Sequence, residues 1–372
     1  MADQERAGGR GRRGGPPAVT IQVGTERERD GAVGTDAGAG AEPAPAPAGE
    51  ATRTAPVRGV AGLLRPAGGR GDTAFRWLST VMAVGLLGLV ALLFFELFAN
   101  ARPLIARDGL SFVWRNDWDV PRDVFGARSL LLGTLISSLI AVVFAVPVAL
   151  GISLFLTEVA PRWLRQPISS LVELLAAVPS VAFGFWGLLV LVPLMAHTVD
   201  PFLIRILGWT GLFGDPQFGV SLFTAGVVLA IMILPIVAAI SREVFRVVPH
   251  DQREAALALG ATKWESIRMA VLPYARAGIV GAVVLGLGRA MGETMAVVFV
   301  IGNSPQILRN LLAPGSSITA QIANTFAEVS TTGHQLAALL YLALLLFFVT
   351  LIVNVAARLL VWRTAAVAGG VR

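Results

Sequence analysis

The sequence has no cysteine among its 372 residues, so neither a disulfide framework nor a thiolate metal site can form in it. It has one lysine, Lys263, and that residue is followed by Trp264. A phosphate-cradling P-loop needs Gly-x-x-x-x-Gly-Lys-Ser/Thr, because backbone amides and the lysine together hold a nucleotide's phosphates. The chain cannot build that site. Its three histidines, His197, His250 and His334, are too scattered along the chain to share a metal ion, and no metal is expected. Charge is scarce as well. Only 15% of residues are Asp, Glu, Lys or Arg, against 55% hydrophobic, which excludes an ordinary soluble domain.

Long apolar runs fill the space that charge leaves. A bilayer core takes about 20 residues of helix at about 1.5 Å each. Six stretches satisfy that: residues 77–95, 129–157, 174–195, a run within 218–240, 277–302 and 335–357. The fold class read from this is an all-α polytopic membrane protein with six transmembrane helices. Residues 1–72, as in GGRGRRGGPP and AEPAPAPAGE, cannot bury enough apolar surface to offset ordering entropy and read as a disordered tail. The organisation is then a tail over 1–72, a first helix and extracytoplasmic loop over 73–127, a membrane domain over 128–363 and a short tail over 364–372.

The net charge of +6 is almost wholly arginine. Basic residues flank membrane helices on the cytoplasmic side, so the surplus reads as orientation and not as nucleic-acid binding. The first tail, the segments around Arg162 and Arg165 and from Arg242 to Arg276, and the C-terminus fall on that side, with both termini cytoplasmic. The outer segments 199–219 and 304–333 carry one arginine each, Arg205 and Arg309. The first outer loop dissents with Arg102, Arg107, Arg115, Arg122 and Arg128, but it also holds Trp114 and Trp118, which favour interfaces. Glu173, at the entry to the third run, reads as an anchor for its cytoplasmic end.

Between the fourth and fifth runs lies a polar insert, residues 251–273, containing EAALALGATKWESIRMAVLP. Asp251 with Glu254 fits a capping box, Gly260 suits the left-handed position past a helix end, and Thr262 with Glu265 repeats the capping pattern. Pro273 is expected to close the second helix. Two short helices meeting at a glycine are therefore expected. They serve either as a loop that returns the chain or as a surface shaped for a soluble subunit.

The fifth run carries two charges in its middle. Arg289 lies 12 residues after Ala277, or about 18 Å along a helix and near the midplane, with Glu293 one turn further on the same face. An unpaired charge there costs about 2.5–3.5 kcal/mol on insertion scales, so such residues face protein or a wet path. One reading is a self-satisfied ion pair that locks packing. The other is an oxyanion site, in which the guanidinium fork holds the anion and Glu293 orients the fork. Gly288 and Gly292 make a small-xxx-small step for the close approach of another helix.

The insert resembles the EAA loop of ABC-transporter permeases: Glu254-Ala255-Ala256, Gly260 and Leu272-Pro273 stand at the family spacing, with Ala270 where the pattern has Ile. The run GRAMGETMAVVFVIGN, with LVELLAAVPSVAFGFWGL and GTLISSLIAVVFAVPVALGISLFLTE, resembles the phosphate-importer branch of those permeases, the PstC family, over about residues 75–362. The resemblance implies a type I ABC importer permease fold in the cytoplasmic membrane of a bacterium. It implies Glu254, Ala255, Ala256 and Gly260 as residues that couple to an ATPase, and Arg289 and Glu293 as residues of phosphate passage. It also implies a homologous second permease, an ATPase dimer that holds the ATP and Mg, an extracytoplasmic phosphate-binding protein, and no cofactor or catalysis on this chain. A permease for sulfate or molybdate, or a secondary anion transporter, are the alternatives.

Overall fold

The computed structural model describes residues 70–214, 218–305, 310–329 and 334–369, with side chains over 71–359 of these. Residues 1–69 of the expected tail, and Arg309, lie outside the described residues. Six helices are long and apolar enough to cross a membrane: Gly71–Asp108, Arg128–Val159, Ser180–Thr210, Leu222–Val247, Lys263–Gly292 and Gln335–Leu359. Helices satisfy every backbone polar group within themselves, which hydrocarbon demands of any spanning segment. Each crossing reverses the chain. The ends at Val159 and Val247 and the start at Lys263 therefore share one side, called here the Glu254 side.

Several boundaries differ from the sequence expectation. The first helix runs over Arg70–Asp108, 39 residues or about 58 Å, so its polar ends extend past the hydrocarbon and residues 70–72 are helical. The last helix continues to Gly369, through most of the segment expected as a tail. The third run is broken in two, and its second helix begins at Ser180. Residues 174–177 belong instead to a separate helix, Arg162–Ala177, because Val178 and Pro179 are extended and Pro179 pushes its predecessor out of helical geometry. Glu173, on that helix, accepts from Arg242 at 3.1 Å and so anchors it to the fourth span. Within the third span, Pro193 sits between two widened turns, Gly187–Leu191 and Met195–Val199, which absorb the hydrogen bond that proline cannot make.

The fourth span is the centre of the bundle. Gly226 lets the second span close on it: a Cβ there would stand 2.5 Å from Ile140. Ser153 on the second span donates to the Ala238 carbonyl at 2.8 Å. The fifth span packs on the fourth through Gly278 against Val244, buried Ala282, and Gly286 against Val237. The first span meets the sixth where Phe94 lies 5.7 Å from both Phe347 and Phe348, and most of its remaining surface is exposed and apolar, as lipid contact requires.

On the side away from Glu254, Phe112 stacks on Tyr341 at 4.5 Å and the Tyr341 hydroxyl donates to the Gly109 carbonyl. Asp123, at a left-handed φ of 53°, accepts from Arg107 at 2.6 Å and pairs with His334 Nδ1 at 2.7 Å, tying the first loop to the start of the sixth helix. Burial pushes the Asp123 carboxyl up, but hydrogen bonds from His334 and Arg107 outweigh it and hold it below its ordinary value.

Two outcomes follow. Gly226→Val should lower the melting temperature of the purified protein, an overpacking cost of about 1–3 kcal/mol, whereas Gly151→Ala, with nothing within 4 Å, should not. The depressed Asp123 pKa means its contribution is complete above the unfolded value of about 3.9 and is lost as pH falls through the folded value. Thermal melts of Asp123→Asn and the parent should therefore differ near neutrality and converge below about pH 4.

Candidate functional site

The polar insert forms one short helix and the start of a long one. The short helix is His250–Ala258, with Pro249 at its N-cap position and no side-chain cap. Asp251 lies in its first turn and does not cap it, so the first expected capping box does not form. Pro249 is the reason, because its fixed φ already starts the helix ahead of Asp251. The C-terminal end follows expectation. Gly260 has φ 84°, its N–H donates to the Leu257 carbonyl, and the Ala261 N–H donates to the Ala256 carbonyl. Those two bonds are the Schellman pattern, which only a residue free of a Cβ adopts without strain.

Thr262 then begins the next helix with a complete capping box. Its hydroxyl accepts from the Glu265 N–H at 3.3 Å, and the Glu265 carboxylate accepts from the Thr262 N–H at 2.8 Å. This second helix is not short. It continues through the widened turn Ile267–Val271 and across Pro273 to Gly292, a single element of 30 residues. Pro273 fails to close it because the wide turn just before it relieves the clash of the proline ring.

The two helices enclose a cleft of about 520 Å³ lined by Ala255, Ala256, Gly260, Leu259, Glu265 and Met269, among others. The expected coupling residues Ala255, Ala256 and Gly260 thus meet in one place, and Glu254 is exposed beside them. Leu259 is 90% exposed and Trp264 62%, an apolar rim on an otherwise charged surface.

The second group of site residues lies near the level of the middle of the fourth span. Gly286 packs on Val237 and Ile233, halfway along the 26-residue fourth span, and Arg289 stands three residues, or about 5 Å, further on. The small residues Gly278, Ala282, Gly286 and Ala290 form the seam against the rest of the chain. Leu285, Arg289 and Gly292 lie beside that seam and are exposed. The close-packing step is therefore not Gly288 with Gly292. A Cβ on Gly288 would meet only Asn354 Oδ1, at 3.9 Å, and one on Gly292 would meet nothing within 4 Å. The four-residue repeat of small side chains from Gly278 was the signal in the sequence.

Glu293 is not on the helical face of Arg289. The helix ends at Gly292, Glu293 is extended with ψ 132°, and a new helix, Met295–Val300, follows. Gly292 and β-branched Thr294, both weak helix formers, bracket the break. Among the described residues no ion pair joins Arg289 to Glu293. Glu293 instead accepts from the Thr319 hydroxyl through its carbonyl, at 2.8 Å, and its Oε1 lies 3.5 Å from the Ala296 N–H. Thr319, on the helix Ile318–Thr325 capped by Ser317, is a residue that sequence reading missed; the Ser317–Ala320 cap was the available sign. Arg253 is another. Its guanidinium reaches Glu158 at 3.0 Å and the carbonyls of Phe245 and Val248.

Known proteins place this architecture. The family model described as "Binding-protein-dependent transport system inner membrane component" matches residues 148–365. The phosphate transport system permease protein PstC of Pasteurella multocida is 45% identical over 78% of this chain and 92% of its own length. PstC of Xylella fastidiosa strain Temecula1 is 46% identical over 79% and 91%, and PstC 2 of Mycobacterium tuberculosis 43% over 82% and 94%. Among solved structures, inward-facing MetNI, a methionine ABC transporter, is similar at TM-score 0.48 and 18% identity, covering 66% of this chain and 99% of that one. With a family match across residues 148–365 and relatives at these identities, the chain belongs to the binding-protein-dependent transport permeases, in their PstC phosphate-transport family.

Proposed function

We propose that this chain is the permease subunit through which an ATP-driven importer moves inorganic phosphate across the cytoplasmic membrane, with both termini on the cytoplasmic side. The observation that carries the reading is the placement of Arg289. It sits at mid-depth on a face that the chain's own helices leave open. A guanidinium facing hydrocarbon is costly, so that face is completed by another protein surface and a hydrated path. A homologous second permease supplies that surface, and Leu285, Arg289 and Gly292 lie along the join. The guanidinium offers a fork of donors to a phosphate oxyanion. Glu293 stands one residue past the helix end beside Thr319 and bounds the same region without neutralising the arginine.

ATP and Mg belong to an ATPase dimer, which docks on the cleft around Ala255, Ala256 and Gly260, with exposed Leu259 as its apolar anchor. Phosphate arrives from an extracytoplasmic binding protein on the side of Asp123 and His334. Closure of the ATPases moves the His250–Ala258 helix and alternates access to the path.

Purified complex carrying Arg289→Ala should assemble normally yet lose phosphate uptake by at least about 100-fold, the weight of a charge-assisted contact made in transit. Excess sulfate should leave parental uptake unchanged. Intact uptake in an assembled Arg289→Ala complex refutes the role of the arginine, and competition by sulfate refutes the substrate.

A further inference from the structure

Arg253 precedes Glu254 on the His250–Ala258 helix, but it faces the bundle. Its side chain is only 16% exposed, as is that of Glu158. Nη2 donates to the Phe245 carbonyl at 2.7 Å and to Glu158 Oε1 at 3.0 Å, and Nη1 donates to the Val248 carbonyl at 2.8 Å. Phe245 and Val248 belong to the end of the fourth span, where the last carbonyls of a helix lack their regular partners; the Phe245 carbonyl accepts only a long backbone bond, 3.4 Å, from the Val248 N–H. Glu158 lies in the widened turn Phe155–Val159 that closes the second span. One guanidinium thus ties the short surface helix to the ends of two spans.

The arrangement suits a transmitted push. Arg253 is a rigid planar fork with its donors fixed relative to one another, so its three acceptors keep a set geometry. Separating a part-buried ion pair leaves each member poorly compensated, so a shift of the surface helix draws Glu158 and the fourth-span carbonyls with it. Beside the pair lies an open cleft of about 310 Å³ that Arg165, Arg246 and His250 also line. The pair therefore borders space into which the ends can move. Arg165 does not duplicate the link, since it donates to the Ala160 and Thr157 carbonyls, at 2.9 and 3.5 Å, at the end of the second span and not to the surface helix or the fourth span.

We propose that Arg253 is the positioning residue through which motion of the His250–Ala258 helix reaches the second and fourth spans, with Glu158 as its anchor. The proposal rests on the reading that an ATPase docks on that helix. Neither residue faces the cleft around Ala255 and Gly260 where docking is placed, so transmission and docking separate in an experiment.

The test uses the complete importer in liposomes, with phosphate uptake and ATP hydrolysis measured together. Arg253→Gln and Glu158→Gln should each keep the ATPase bound and hydrolysis running, while phosphate moved per ATP falls about tenfold, within the span of ordinary coupling energies. Arg253→Lys, which keeps the charge opposite Glu158, should restore part of the ratio. The double variant Arg253→Gln/Glu158→Gln should be no worse than either single one, because both remove the same contact. An unchanged ratio in both single variants overturns the proposal, and so does a proportional fall of uptake and hydrolysis, which marks a purely structural role. Should Arg253→Gln fail to assemble, Glu158→Gln decides, since it leaves the surface helix untouched. If the parental chain itself binds no ATPase, the docking reading fails first and the proposal with it.

Discussion

A fixed positive charge at mid-depth, on a helix face that the described residues leave uncovered, is the constraint from which the rest of this account follows. Among the described residues Glu293 does not pair with Arg289, because the helix stops at Gly292. Three small residues beside it, Gly278, Ala282 and Gly286, pack the same helix closely against the fourth span. That close seam fixes the direction in which the arginine points. The fold thus determines that the charge looks outward, and the cost of a cation in hydrocarbon determines that something polar meets it.

The same fifth helix reaches the other functional region without interruption. From the capping box at Thr262 it passes through a widened turn and across Pro273 before it enters the bundle, so the polar surface and the charged middle are parts of one 30-residue rod. The Schellman turn at Gly260 hangs the short helix from the start of that rod. A displacement of the short helix has two routes inward, along the rod and through the Arg253–Glu158 tie. Wide turns occur in the second, third and fifth spans, at Phe155–Val159, Gly187–Leu191, Met195–Val199 and Ile267–Val271. Each is a place where backbone bonding already departs from the regular ladder.

Much of this was legible in the sequence, and the failures share a cause. The six crossings followed from apolar length alone, and Gly260, Thr262 and Glu265 adopted the expected local geometry, because caps and turns depend on neighbours a few residues away. Asp251, Pro273, and the pairing of Arg289 with Glu293 went otherwise. In each case a backbone feature decided: the N-cap at Pro249, the wide turn before Pro273, the helix end at Gly292. Within the third run the helix breaks at Val178, and Pro179 was the sign of it in the sequence. The Arg253–Glu158 tie spans 95 residues and had no local signature. Membership in the PstC family, by contrast, was carried by contiguous motifs and is borne out by the relatives.

Because the chain has no cysteine, one introduced thiol is unique and reports its own surroundings. Leu285→Cys and Gly292→Cys place that thiol on the face that carries Arg289, and Ala282→Cys places it in the seam. In the assembled transporter, the first two should react with a charged, water-borne thiol reagent or cross-link to a second permease subunit, and the third should do neither. Reaction of Leu285→Cys and Gly292→Cys only with a lipid-soluble reagent, with no cross-link, would set Arg289 against lipid and contradict the account.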